Sequence, residues 1–334
     1  MITPGDVDTA ERSMWRYRAA LPELAGAEPV SLGEGCTPLV ARDWAGARPR
    51  FKLEWFSPSG SFKDRGASAL VTALRAAGAT AIVEDSSGNG GAAVATYGAA
   101  AGLAVTVFAP ASTSPAKLVQ ARAAGAAIEL VDGPREASEA AALAAVARGD
   151  AHDAGHNRQA VFLQGTKTLA YELWEDLGFR APDAIVLPVG AGSSLLGCAF
   201  GFGELFEAGA IDLLPRLYAA QPLHCSPIDA AFAAPGVERP VLPTIAEGTA
   251  IRAPGRLAEI LAAIRRSGGG TVAVTEDEIR AAHAELARTG LYAEPTSAVA
   301  AAGLTRLLAR GEIRAEETAV AVLTGSGLKS PLGG

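Results

Sequence analysis

The stretch Ser57-Pro58-Ser59-Gly60-Ser61-Phe62-Lys63-Asp64-Arg65-Gly66 places one lysine where a flexible loop meets a helix. Strong helix formers fill Ala67–Ala77, while Pro58 and Gly60 keep the preceding residues out of a helix, so Lys63 falls in the first helical turn. Cations normally favour the opposite helix end. A positive helix terminus and partial burial both push an amine toward its neutral, nucleophilic form, the form that attacks an aldehyde to make a Schiff base. By itself the stretch also describes, as the lesser reading, a solvated lysine with Asp64 serving the first turn.

Around it, apolar strands alternate with Ala-rich helices. Thr80–Val83, Val105–Ala109 and Ala127–Val131 read as strands, with helices around Ala92–Ala101, Ser114–Ala124 and Glu136–Arg148. A second series has strands near Ala184–Val189, Arg216–Ala220 and Ala319–Thr324, and helices near Thr168–Leu177, Ser194–Ala208, Gly255–Arg266, Glu276–Thr289 and Pro295–Ala309. The expected class is α/β, with two domains built on helix-covered, mainly parallel sheets. The polar run Asp150–Asn157 marks the crossing between a smaller domain, 51–150, and a larger one, 1–50 with 151–334.

The chain has 334 residues, of which 49% are hydrophobic, enough for a sizeable core. A net charge of -7 without any basic run argues against nucleic acid and anionic membranes as partners and leaves small metabolites. Gly90–Pro110 is broken by Gly98 and Gly102, so no membrane span is expected. Cys36, Cys198 and Cys225 lack metal-ligand spacing, and the N-terminus carries Asp6, Asp8 and Glu11 in place of a basic-then-apolar signal. These features predict a cytoplasmic protein with free thiols.

Two glycine-rich turns follow strands. Gly190-Ala191-Gly192-Ser193-Ser194 leads into a helix near Leu195, so backbone N–H groups and a helix N-terminus converge as in a phosphate site. A dinucleotide-binding turn would need glycine where Leu195 stands, and a purely structural turn is the other alternative. Ser86-Ser87-Gly88-Asn89-Gly90-Gly91 offers hydroxyls, an amide and open N–H groups that suit a carboxylate, although capped turns of this composition are common in α/β proteins. Thr324 ends the last strand before Gly325-Ser326-Gly327, which lets backbone approach a flat ring, or it is a plain strand-end threonine. His152 and His156 could share a helix face, but Gly155 and Asp153 favour a loop, and no metal site is expected. Glu294, before Pro295, reads as a carboxylate at a helix N-terminus.

The lysine string resembles that of fold type II pyridoxal phosphate (PLP) enzymes, a tryptophan synthase β-like fold, above all the threonine synthase and serine/threonine dehydratase group. The resemblance extends through Trp15-Arg16-Tyr17, Leu32–Leu39, Ser86–Gly91, Gly165–Glu172, Pro188–Ser194, Glu294–Ala298 and Thr324–Lys329. It implies that Lys63 is the catalytic, cofactor-bearing lysine and that Gly190, Ala191, Gly192, Ser193 and Ser194 hold the PLP phosphate. It further implies that Asn89 donates to the phenolic oxygen, that Ser87, Gly88, Asn89 and Gly90 surround the substrate carboxylate, and that Thr324 faces the pyridine nitrogen. A homodimer is usual among similar enzymes.

Departures bear on the substrate. Threonine synthases have threonine where this chain has Gly90, asparagine at Ala191, a phosphate-binding arginine aligned with Phe162 and usually histidine at Ser326. Losing a charge-assisted phosphate contact weighs against phosphohomoserine. The expected activity is therefore PLP-dependent β- or γ-elimination, or replacement, on a small α-amino acid. Threonine synthase proper, a serine/threonine ammonia-lyase and a non-catalytic binding protein of the same fold are the alternatives.

Overall fold

The computed structural model describes residues 2–330 except 235 and 238. Along the chain run β1 (Leu39–Ala41), β2 (Arg50–Leu53), α1 (Lys63–Ala76), β3 (Ala81–Glu84), α2 (Asn89–Ala100), β4 (Ala104–Pro110) and α3 (Pro115–Ala123). Then come β5 (Ala127–Val131), α4 (Arg135–Ala147), β6 (His152–Asp153), α5 (Ala160–Thr166), α6 (Thr168–Asp176), β7 (Ala184–Pro188) and α7 (Ser193–Glu207). The remainder is β8 (Arg216–Pro222), α8 (Pro227–Ala233), α9 (Leu257–Arg266), β9 (Gly270–Val274), α10 (Glu276–Arg288), α11 (Pro295–Ala309) and β10 (Ala319–Leu323).

The chain divides into two compact units, one of residues 1–6, 37–56 and 167–334, the other of residues 7–36 and 57–166. The first carries a six-stranded sheet in the order β1-β2-β10-β7-β8-β9, parallel except where β1 meets β2. Strands β7 and β10 are buried along their whole length, which is why Ala-Ile-Val-Leu-Pro and Ala-Val-Ala-Val-Leu read as continuous apolar runs. Helix α11 lies close on this sheet because its inner face is small. A side chain at Gly303 would stand 2.9 Å from the Ala220 Cβ and 3.0 Å from Val272 Cγ1. Where α10 begins, Thr275 and Glu278 form a reciprocal capping box.

The second unit holds a four-stranded parallel sheet, β5-β4-β3-β6. Its core gathers Ala67, Leu70 and Val71 of α1, Ala93–Ala95 and Tyr97 of α2, the strand residues Ile82, Val105 and Val107, and Phe162 of α5. Residues 7–36 are tied to it by Glu34, which is fully buried. Its carboxylate accepts from Trp15 Nε1 at 3.0 Å, Tyr97 Oη at 2.8 Å and the Leu32 backbone N–H at 2.9 Å. The Trp15 N–H is shared with Ser68 Oγ on α1 at 2.9 Å. These bonds explain why residues 7–36 group with the smaller unit and not, as the sequence suggests, with the larger. The Asp150–Asn157 run likewise lies inside this unit, because β6 pairs with β3. Strands β1, β2, β6 and β9 and helices α5 and α8 carry no clear periodic signal in the sequence and emerge only in the structure. Among the described residues no helix is long and apolar enough to cross a membrane.

In the larger unit a second buried charge cluster accounts for two further motif residues. Lys52 Nζ, with no exposed surface, lies 2.7 Å from each of the Thr37 carbonyl, Glu172 Oε1 and Asp176 Oδ2. Thr37 in turn donates its backbone N–H to Glu172 at 2.7 Å and its hydroxyl to Glu54 at 2.7 Å. Removing the ammonium takes the shared cation from two carboxylates, one of them almost wholly buried. Lys52→Met is expected to lower unfolding free energy by about 3–5 kcal/mol, read as a shift in the denaturant midpoint at constant slope. A cost below about 1 kcal/mol would show that the cluster is solvated in solution.

Candidate active site

Lys63 is the first residue of α1. The loop before it is shaped by Gly60, whose φ of +82° closes a turn from Ser57 (Gly60 N–H to Ser57 O, 2.8 Å), and by Asp64. The buried Asp64 carboxylate turns back to accept from the Ser59 backbone N–H at 2.6 Å and from the Ser59 hydroxyl. The lysine stem is half-buried, and its Nζ lies 4.8 Å from the Phe62 ring centroid and 5.4 Å from that of Phe162. Phe162 is fully buried and fills the space beside Gly66, where any side chain would collide with its ring. The hydroxyls of Ser57 and Ser61 are buried without a hydrogen-bond partner.

The turn 86–91 follows β3 and opens α2. Gly88 is the N-cap and supplies no side-chain bond, so the first-turn N–H groups of α2 point outward from the helix end. Ser87 and Asn89 are half-buried, Gly88 is exposed and Gly90 is buried. Gly91 is required because a Cβ there would run into the Ser86 carbonyl. At Gly90 the space is taken by His156: an added Cβ would stand 2.6 Å from Cε1 and 2.7 Å from Nδ1 of the imidazole.

His156 lies in a loop, as its neighbours Gly155 and Asp153 suggest, just past β6, but the sequence gives no sign of what surrounds it. Strand β6 runs beside β3, so the residues beyond their C-terminal ends meet. There Glu84, fully buried, accepts from the His156 backbone N–H at 3.1 Å and faces Nδ1 at 2.8 Å. Burial pushes the Glu84 carboxyl up to about 7, and burial lowers the basicity of the imidazole well below its ordinary range. The charge of Lys63 acts on both groups. The His156 ring packs 5.5 Å from Phe162. His152 sits exposed on β6, and no group of three or more metal-ligating side chains occurs among the described residues.

In the larger unit, β7 ends at Pro188 and the chain passes through Gly190 and Ala191 to Gly192, which caps α7 at φ +92°. The helix starts at Ser193, two residues earlier than expected. A Cβ at Gly190 would sit 3.0 Å from the Gly248 carbonyl, and one at Gly192 would collide with Ile260, so neither position has room for a side chain. Ser193 and Ser194 are buried in the first turn of α7, and Gly192 gives no side-chain cap. Thr324 follows β10, the neighbour of β7, so this loop and Thr324 leave adjacent parallel strands at their C-terminal ends. The Thr324 hydroxyl is 3.1 Å from Ser297 Oγ and 3.4 Å from Glu294 Oε1. Ser297 also accepts from the Gly325 N–H at 2.9 Å. Gly325 has no room for a side chain against the Glu294 carboxylate. The Glu294-Pro295-Thr296-Ser297 motif thus holds Thr324 in place, a role that the separation of 27 positions between Ser297 and Thr324 conceals in the sequence.

These features fit PLP piece by piece. The glycine cradle at 190–194 with two hydroxyls and a helix N-terminus suits a phosphate. Thr324, beside a residue that cannot carry a side chain, suits a flat heterocycle edge, and Lys63 with the orphaned Ser61 hydroxyl suits an aldehyde.

The comparisons point to the same cofactor. The profile of the family described as pyridoxal-phosphate dependent enzyme matches residues 30–325. Threonine synthase of Methanosarcina acetivorans is 36% identical over 332 residues, covering 96% of this chain and 80% of that protein. Threonine synthase of Mycobacterium tuberculosis is 35% identical over 321 residues, covering 94% and 88%. Among solved structures, T.th. threonine deaminase superposes with a TM-score of 0.75 at 26% identity, covering 94% of this chain and 98% of that one. Threonine deaminase isoform 2 of Solanum lycopersicum shares the fold at 22% identity with a TM-score of 0.79, covering 98% and 94%. The chain belongs to the pyridoxal-phosphate dependent enzyme family, with threonine synthases among its sequence relatives.

Proposed function

We propose that the protein is a PLP-dependent lyase that eliminates or replaces a β- or γ-substituent of a small, uncharged α-amino acid. The observation that carries this reading is Lys63 itself, set at the first residue of α1 with its Nζ between two aromatic rings. Bound PLP supplies an electron sink for negative charge at the substrate α-carbon. Lys63 would hold the cofactor through Nζ, and the same Nζ would remove the substrate α-proton. The backbone of Gly190–Ser194 grips the phosphate, and Asn89 donates to the phenolic oxygen. Ser87, Gly88, Asn89 and Gly90 orient the substrate carboxylate at the start of α2. Thr324 donates or accepts a neutral hydrogen bond at the pyridine nitrogen, with Ser297 and Glu294 fixing its hydroxyl. A hydroxyl in place of a carboxylate there favours elimination and replacement over transamination.

Two structural facts support an uncharged side chain. Phe162, where the resemblance would put the family's phosphate-binding arginine, is a core residue under Gly66, and the room beside Gly90 is filled by an imidazole. Threonine synthase remains a second reading because the sequence relatives at 35% and 36% identity carry that name. Cysteines without disulfides support the cytoplasmic location.

Lys63→Ala is expected to abolish both the visible absorbance of bound cofactor and turnover. Borohydride reduction of the wild type should fix the cofactor on Lys63. Peptide mapping that found it on Lys117, Lys167 or Lys329 would overturn the assignment; Lys167 is already paired with Glu204 at 2.8 Å. The substrate reading is tested by comparing kcat/KM for phosphohomoserine with uncharged serine, threonine and homoserine derivatives. The expected preference for phosphohomoserine is below about a hundredfold, and one larger than that, roughly 2.7 kcal/mol, would restore threonine synthase.

A further inference from the structure

The buried pair Glu84–His156 has no role in the reading above, yet it stands among the groups that reading uses. Its imidazole lies against Gly90, in the turn assigned to the substrate carboxylate, and packs on Phe162, the ring that also flanks Lys63 Nζ. Glu84 fixes it at two points, through the backbone N–H at 3.1 Å and Nδ1 at 2.8 Å. Nδ1 is thereby engaged, which leaves Nε2 as the ring nitrogen that Glu84 does not hold. We infer that His156 is a catalytic acid–base residue whose Nε2 gives a proton to the departing hydroxyl of a β-hydroxy α-amino acid. This deepens the proposed function and rests on it.

One proton decides what Nε2 does. When Glu84 is protonated, its O–H donates to Nδ1 and Nε2 carries hydrogen; when Glu84 is ionised, it accepts from Nδ1–H and Nε2 presents a lone pair. In the elimination, the α-proton passes to Lys63 Nζ and the C–O bond breaks. The leaving oxygen takes the Nε2 proton and departs as water, while the Glu84 proton moves to Nδ1. One proton enters Lys63 and one leaves the pair, so the proton count of the protein is unchanged, and transfer through solvent restores the pair.

The surrounding charges set the pH range. Asp85 beyond β3, Asp153 on β6, Arg158 in the following turn, Arg135 on α4 and Lys63 on α1 all act on one or both members. Arg158 is engaged by Asp153 at 2.6 Å and Asp85 at 2.9 Å, and Arg135 approaches Asp85 at 3.3 Å, so much of this charge is internally balanced. Burial, the largest influence, holds the Glu84 carboxyl up at about 7. Activity on a hydroxyl substrate therefore falls as pH rises through that region, because the pair loses the proton it must donate.

The test compares L-serine, whose hydroxyl must be protonated to leave, with β-chloro-L-alanine, whose chloride needs no proton, in the PLP-loaded enzyme. His156→Asn is expected to reduce kcat/KM for serine by about a hundredfold or more and that for β-chloroalanine by less than about tenfold. Glu84→Gln should flatten the alkaline limb for serine. A second readout needs no turnover: nitrogen chemical shifts of the His156 ring in the wild type should show one titration near neutral pH, absent in Glu84→Gln. That readout stands if His156→Asn fails to hold cofactor. Equal losses on both substrates, a wild type that accepts β-chloroalanine but not serine, or a ring that does not titrate there would each overturn the inference while leaving borohydride trapping at Lys63 intact. Trapping at another lysine would sink the proposed function and the inference together.

Discussion

Helices α1 and α5 touch backbone to backbone, and the position of the lysine depends on that contact. A side chain at Gly165 would run into the Arg65 carbonyl, and one at Gly66 into the Phe162 ring. The two glycines face each other across one crossing, so Phe162 is driven in under the first turn of α1, where its ring meets Lys63. Close packing at this density leaves little tolerance for an added methyl group. The Ser-Phe-Lys-Asp-Arg-Gly string and the Gly-Thr-Lys-Thr string are therefore two halves of one constraint, although 99 residues of sequence separate Gly66 from Gly165.

Buried carboxylates divide between holding the scaffold and serving chemistry, and their partners tell them apart. Glu34 accepts from Trp15, Ser31, Leu32 and Tyr97, and Glu172 faces an ammonium, so each is satisfied where it stands. Glu84 is different. Its side-chain partner is a buried imidazole whose basicity burial lowers well below the ordinary range, and the charges around the pair act on it from a distance. A carboxylate matched to a cation is pinned in one state, whereas a carboxylate matched to a histidine is poised between two.

What is legible in the sequence follows the range of the interaction. Helix α11 and strand β5 appear at the residues where composition places them, because Pro at a helix start and a bounded apolar run are local signals. The glycine loop at 190–194 and Lys63 at a helix start are local for the same reason. The short strands β1, β2 and β6 exist only through their neighbours, and a two-residue strand has no period to read. The Glu84–His156 pair spans 72 residues and arises because β3 and β6 lie side by side. The trace it leaves in sequence is Gly90, a departure from the pattern that the resemblance to threonine synthases implies, and that trace has meaning only once the imidazole is seen in the space.

The same reasoning bears on how the chemistry is divided between electrons and protons. At the end of β10 the proposed contact to the pyridine nitrogen is a threonine hydroxyl, and the nearby Glu294 carboxylate acts on it through a 3.4 Å hydrogen bond. A ring nitrogen met by a hydroxyl is less fully protonated than one met by a carboxylate, so charge stays nearer the α-carbon and is relieved by expelling a leaving group. A weaker electron sink makes departure of a poor leaving group harder unless a proton reaches it. An acid beside the substrate side chain offsets that demand. In the proposed reaction Thr324 would restrict where the electrons go, and the Glu84–His156 pair would make a hydroxyl able to take them.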